Sequence, residues 1–198
     1  VWLMIWQRLQ GNRCLAAAVQ YLVQGGAKDL VSDCKRCTED KVSAATGSYC
    51  QARQRLPKRI AGEVMERMVG QLREEMQEGR EGLKRPVFVV DGSTLQLPHA
   101  PALVKEFPPG HNQHGENHWP VMQIVVFHDV YSGLALRPSW GAMYGGAAVS
   151  EQALAEQALD RLPADAVALG DGNFGIFFFA YAVQQSRRPM ILRLTQAR

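Results

Sequence analysis

The sequence predicts an α/β fold, a mixed sheet with helices, preceded by an α-helical N-terminal domain. Three observations predict it. Two short apolar runs, Pro86-Val87-Phe88-Val89-Val90-Asp91 and Ala166-Val167-Ala168-Leu169-Gly170-Asp171, each end in an aspartate followed by glycine. Bounded by Pro or Gly, each reads as a strand buried on both faces. Between them, Val121-Met122-Gln123-Ile124-Val125-Val126-Phe127 reads as a strand, 129–133 as a hairpin turn and 134–140 as the antiparallel partner. Upstream, Ile60, Val64, Met68, Leu72 and Met76 recur at helical spacing over 60–78, with Met65 and Val69 widening the stripe, which is expected to be core.

Taken in order, residues 1–24 read as two helices broken at Gly11-Asn12, the second stopped by Gly25-Gly26. Residues 28–42 are polar and read as a loop. Residues 42–57 read as a turn and a short helix, with Ser48 as N-cap and Pro57 as the stop. The long helix follows, ended by Gly79 and Gly82, so the boundary between a helical domain (1–82) and a sheet domain (83–198) falls there. After the first aspartate a Pro- and His-rich loop runs to Pro120. Its histidines His111, His114 and His118 sit among Pro108-Pro109, Gly110 and Gly115, which argues for a polar loop rather than a metal-binding helix. Ser150 N-caps a helix with Glu151 in its first turn and Leu154, Ala158, Leu159 and Leu162 as its stripe. Beyond Asp171, residues 174–186 read as a very apolar helix and 190–194 as a last strand.

At 198 residues the chain is one large domain or two small ones, and 46% hydrophobic with 21% charged residues suits a soluble globular protein. The net charge of +3 does not decide for or against nucleic acid, but its distribution is uneven. Twelve of the 22 Lys and Arg residues lie between Lys35 and Arg85, which suggests an anionic partner for the first part. Tyr49, Arg53 and Arg55, with Lys58 and Arg59, gather donors and an aromatic on or near one short helix. Such a helix fits a DNA groove and its phosphates; the alternative is a solvated basic helix. No apolar run is long enough to span a membrane, and the apolar start lacks the features of a signal peptide, so a cytoplasmic location is expected. The start without Met and the end just past a strand read as a piece of a longer protein. Cys34-x-x-Cys37 has half the spacing of a zinc site but no second pair nearby, so reduced thiols are expected.

Two aspartates at the carboxyl ends of neighbouring strands put hard oxygen ligands where open α/β sheets bind ligands, a natural magnesium site. The alternative for each is a turn, since Asp-Gly is a common turn signal. The element order is strand (Asp), strand, strand, helix, strand (Asp), helix, strand. That is the core plan of the ribonuclease-H-like fold, with Asp91 and Asp171 where that fold carries metal carboxylates.

Several segments then resemble one family. They are Ala45-Thr46-Gly47-Ser48-Tyr49-Cys50 running on to Arg53-Gln54-Arg55-Leu56-Pro57, Val90-Asp91-Gly92-Ser93-Thr94, and Leu97-Pro98-His99-Ala100-Pro101. Trp119-Pro120-Val121-Met122, Tyr144-Gly145-Gly146 through Ser150-Glu151, and Gly170-Asp171-Gly172-Asn173-Phe174-Gly175 continue the series. In this order they resemble the DDE transposases of the bacterial IS-four insertion-sequence group. The resemblance implies a cut-and-paste enzyme that nicks DNA with water and joins the freed 3′-hydroxyl to target DNA. It implies Asp91 and Asp171 as catalytic and metal-binding residues and Mg2+ as cofactor, with Mn2+ as substitute. Its partner is double-stranded DNA, as inverted-repeat ends and target, with a homodimer on DNA as the candidate assembly. The family's third acid, a Glu beside a Tyr and an Arg, would lie beyond Arg198. His99 stands where relatives often have Asp. A nuclease on the same fold and a non-enzymatic DNA-binding remnant of a mobile element are the competing readings.

Overall fold

The computed structural model describes residues 1–11, 14–26, 35–39, 41–77, 84–113 and 115–194; within these, the side chains of Cys37, Thr38, Lys58 and Gln77 are not described. The chain divides into two compact units, Val1–Val64 and Met65–Arg198. The division falls inside a helix, whereas the expected boundary at 82/83 lies outside the described residues.

In the first unit, α1 (Trp2–Leu9) and α2 (Leu15–Val23) pack through a stack of Trp6 on Tyr21, ring centres 4.0 Å apart. A one-turn helix α3 (Lys35–Thr38) stands where a loop was expected. Helix α4 (Thr46–Arg55) begins two residues before Ser48, so Ser48 is not its N-cap; Ala45 is, with no side-chain cap. The Ser hydroxyl that serves this end is that of Ser43, which accepts from the Ala45 N–H at 3.2 Å. The helix ends at Leu56, just before Pro57, which disfavours helical backbone at the residue ahead of it.

Helix α5 (Lys58–Gln77) enters the second unit. Its expected core stripe is half-open to solvent at Met68, Leu72 and Met76. Val69, which widens that stripe, packs against the core as expected, and Arg73, four residues on, shares its face. The Arg73 guanidinium lies over the Phe88 ring at 5.0 Å, and its Nε is 3.5 Å from Asp129 Oδ2. Asp129 is 2% exposed, and its other oxygen accepts from the Tyr131 N–H. This polar anchor is invisible to the apolar periodicity of the helix.

The second unit holds a five-stranded mixed sheet in the order β5-β4-β1-β6-β7. The strands are β1 (Val87–Gln96), β4 (Val121–Asp129), β5 (Ser139–Ala142), β6 (Val167–Gly170) and β7 (Met190–Leu192). The pairings β1–β4 and β4–β5 are antiparallel, and β1–β6 and β6–β7 parallel, so β4 alone runs against the rest. Helices α7 (Glu151–Ala158) and α8 (Phe177–Gln185) supply Leu154, Ala155, Phe179 and Val183 to a core shared with Phe88, Val90, Val125, Phe127 and Ala168. The aspartate strands are buried on this face only. Val87, Val89, Val167 and Leu169, which alternate onto the other face, are half-buried rather than buried as expected.

Strand β1 is also longer than its sequence suggests. It runs through Asp91 to Gln96, because β4 pairs with it across nine residues, from Phe88↔Asp129 to Gln96↔Val121. The hairpin turn after Asp129 forms as expected, with Gly133 at φ +69°. Its return strand is displaced, touching at Ala135 and pairing only from Ser139. The loop after β1 contains α6 (Pro101–Glu106) and a minimal hairpin of β2 (His111–Asn112) and β3 (Gly115–Glu116).

Replacing Arg73 by Ala leaves Asp129 buried without its cation. Breaking such a pair is expected to cost about 3 kcal/mol, read as a lower midpoint in chemical denaturation. A loss under about 0.5 kcal/mol would fit only a solvent-exposed pair and contradict this account.

Candidate metal-binding carboxylate site

Parallel pairing of β1 with β6 sets Val87 beside Val167, Phe88 beside Ala168 and Val89 beside Leu169, partners 80 positions apart. Asp91 and Asp171 are separated by the same 80 positions. They therefore fall level with each other, two residues past the last paired residues, with Asp171 just beyond the end of β6 and Asp91 midway along β1. Neighbouring strands lie about 4.8 Å apart, a gap one divalent ion bridges with a carboxylate from each side.

The two aspartates are held differently. Asp91 lies inside β1, not at a turn as expected, and its Oδ1 accepts from the Gly92 N–H at 2.9 Å. Asp171 follows the last residue of β6, and its Oδ1 accepts from the Asn173 N–H at 2.9 Å, an Asx turn that matches the expected strand-to-turn switch. Each is exposed, and among the described residues neither has an ion-pair partner. One carboxylate oxygen of each is thus left uncommitted. Two all-oxygen ligands with room for water suit Mg2+ or Mn2+ and would be a poor set for zinc. Among the described residues no three His, Cys, Asp or Glu side chains converge to cage a metal, so the pair is an open, two-carboxylate site.

A third acid stands beside it. Ser150 caps α7, accepting from the Ala153 N–H at 3.2 Å, and so fixes Glu151 in the first turn. The Glu151 Oε2 accepts from Asn173 Nδ2, and Gln152 Nε2 donates to the Asn173 carbonyl at 3.0 Å. A Cβ on Gly92 would overlap the Glu151 carboxylate, so glycine is required there for close approach. Burial, then the charges of Asp171 and Asp91, raise the Glu151 pKa, against the lowering effect of the Asn173 bond. The sequence reading placed Glu151 only as a helix-cap neighbour; the one local signal was a Ser-Glu pair opening the helix between the two aspartate strands.

The basic residues lie elsewhere, in the first unit. Tyr49, Arg53 and Arg55 are on α4, none of whose residues is buried. Tyr49 and Arg53 share a face, with the guanidinium 5.7 Å from the ring centre, and the Tyr49 hydroxyl donates to Gln7 Oε1 at 3.2 Å. Burial raises the Tyr49 pKa, opposed by the charges of Arg53 and Arg8. Arg59 is exposed on α5 and pairs loosely with Glu63 at 3.9 Å. Lys58 opens α5, and its side chain lies outside the described part. The break at Leu56-Pro57 splits this group over two helices.

Cys34 and His114 lie outside the described residues, as does the Cys37 side chain; Cys14 and Cys50 are thiols outside any disulfide among the described residues, and Cys14 Sγ accepts from the Ala17 N–H at 3.3 Å. His118 stacks on His99, ring centres 4.4 Å apart, and meets Trp119 edge-on, so these rings pack as aromatics. Among the described residues no helix is long and apolar enough to cross a membrane.

No protein-family model and no curated protein matches the chain. Among solved structures the chain is similar to the crystal structure of the Mos1 mariner paired end complex with Mn. The identity is 12% and the TM-score 0.33, over 91% of this chain and 59% of that one, so the chain spans less than two thirds of its neighbour's length. A likeness this loose carries no argument about this chain.

With its pKa raised in the folded state, ionised Glu151 opposes folding above the ordinary glutamate range and is neutral toward it below. In metal-free protein, Glu151→Gln is expected to raise the thermal midpoint near neutral pH. The gain should shrink as the pH falls and vanish below the ordinary glutamate range. A gain that grows on acidification would contradict the assigned sign.

Proposed function

We propose that the chain is the DNA-binding part and the beginning of the catalytic domain of a metal-dependent DNA transposase, of the DDE type and the IS-four group. The observation that carries the proposal is the pair Asp91 and Asp171, level on neighbouring parallel strands and without basic partners. The strand order with β4 alone reversed supports a ribonuclease-H-like plan for the sheet. The segments that resemble the family support the finer assignment.

In this reading Asp91 and Asp171 hold Mg2+, or Mn2+ in its place, through their uncommitted oxygens. A bound divalent ion supplies charge stabilisation to the attacking and leaving oxygens of a phosphodiester. Asp91 is the more rigid ligand, fixed inside a strand paired along its length. Asp171 is set by the Asx turn. Tyr49, Arg53, Arg55, Lys58 and Arg59 bind the duplex through its phosphates, so binding weakens as salt rises. The substrate is double-stranded DNA, as element ends and target, and a homodimer on DNA is the proposed assembly.

Two measurements test this. In duplex binding across a salt series, Arg53→Ala and Arg55→Ala are each expected to lower the salt slope by about 1. Unchanged slopes in both would make this face merely solvated. In nicking of element-end DNA with Mn2+ by protein that carries the third acid, Asp91→Asn and Asp171→Asn should abolish cleavage while leaving duplex affinity intact. Undiminished cleavage by Asp171→Asn would refute the assignment.

A further inference from the structure

Glu151 belongs to neither aspartate strand, yet it touches both sides of the site. Its carboxylate occupies the space a side chain at position 92 would need, on β1, and it accepts from Asn173 on the turn that carries Asp171. Gln152, the next residue, holds the carbonyl of the same Asn173. The opening turn of α7 thus grips Asn173 from two directions while resting on β1. The Asx turn of Asp171 is closed by the Asn173 N–H to the carboxylate, the Phe174 N–H to the Asp171 carbonyl at 3.2 Å and the Gly175 N–H to the Gly172 carbonyl at 3.3 Å, and its far end is anchored by Phe174, buried in the core against Phe179; the grip of α7 acts on Asn173, between the aspartate and that anchor.

We propose that Glu151 is a positioning residue, a brace that acts through Asn173 to hold the Asp171 turn against β1. This rests on the reading of Asp91 and Asp171 as the metal-holding pair. A third carboxylate beside two others is electrostatically costly. The cost is partly offset by the helix start that carries it, where peptide dipoles and the Ser150 cap favour negative charge. A glutamate suits the brace because its two acceptor oxygens let one receive Asn173 while the other faces β1. The contribution of Glu151 is geometric, made through its bond to Asn173 and so through the turn.

The roles of brace and ligand separate on substitution. Glutamine keeps an acceptor for Asn173 and loses the charge; alanine loses both. Mn2+ affinity is read from the signal of free Mn2+ in electron paramagnetic resonance. Amide hydrogen exchange at 172–175 is read in metal-free protein. Glu151→Ala is expected to weaken Mn2+ binding about tenfold, the size of effect usual for residues that orient ligands, and to speed exchange in the turn. Asn173→Ala should do the same, and the double variant should be no worse than either single one, since both cut one bond. Glu151→Gln should retain wild-type exchange and, having lost only a charge near the cation, should weaken Mn2+ binding less than alanine does. Glutamine as damaging as alanine would overturn the proposal in favour of a charge-dependent ligand, and unchanged exchange in Glu151→Ala would overturn it outright. Asp171→Asn separates the two readings: wild-type Mn2+ affinity in that variant refutes the metal pair, while the metal-free exchange result still decides the brace.

Discussion

Three parallel residue pairs, Val87 to Val89 against Val167 to Leu169, carry the organisation of the sheet domain. They join segments separated by a hairpin and a helix, so the loop they close is long and its entropic cost is met by burial. The central pair shows how. Phe88 and Ala168 are fully buried side by side, a large ring beside a methyl, under Phe179 and Val183. A slip of one residue would turn Phe88 to the half-covered face and bring Val87 inward. Packing therefore holds the register, and the register sets Asp91 level with Asp171. The site is a by-product of a hydrophobic constraint, which is why it can afford exposed, unpaired charges.

The two ends of the sheet use the same residue type in opposite ways. At one end Asp129, paired in register with Phe88, is buried and neutralised by Arg73, with a backbone N–H on its other oxygen. Every acceptor there has a donor, and the group anchors α5. At the other end Asp91 and Asp171 are exposed, each with one oxygen uncommitted and no cation beside it. Glu151 adds a third charge rather than relieving the first two. An aspartate neutralised at one end and acids gathered at the other are the contrast on which the proposed cation site rests.

What the sequence made legible follows the range of the interaction involved. The Ser150 cap, the stop at Pro57 and the Asp129–Gly133 turn are local, and each appears as expected. The adjacency of the aspartate strands was also readable, because apolar runs ending in Asp-Gly name both the strand and its end. The length of β1 was not, since Asp91-Gly92-Ser93-Thr94 has poor strand propensity and is held extended by β4. On α5 the apolar periodicity points to Val69, which packs, but also to Met68, Leu72 and Met76, which stay half-open, and the Arg73–Asp129 pair is invisible to it. The position of Glu151 against Gly92 and Asn173 depends on tertiary placement alone, and no spacing in the sequence encodes it.

The central claim, that the β1–β6 register builds one divalent-cation site from Asp91 and Asp171, is tested most directly by paramagnetic broadening. Substoichiometric Mn2+ is added to isotope-labelled protein, and the loss of amide signals is followed residue by residue. The account predicts that the amides of residues 91–92 and 171–173 disappear together and first. Broadening that begins at the acids of α5, such as Glu74 and Glu75, or that takes one aspartate strand without the other, would contradict it.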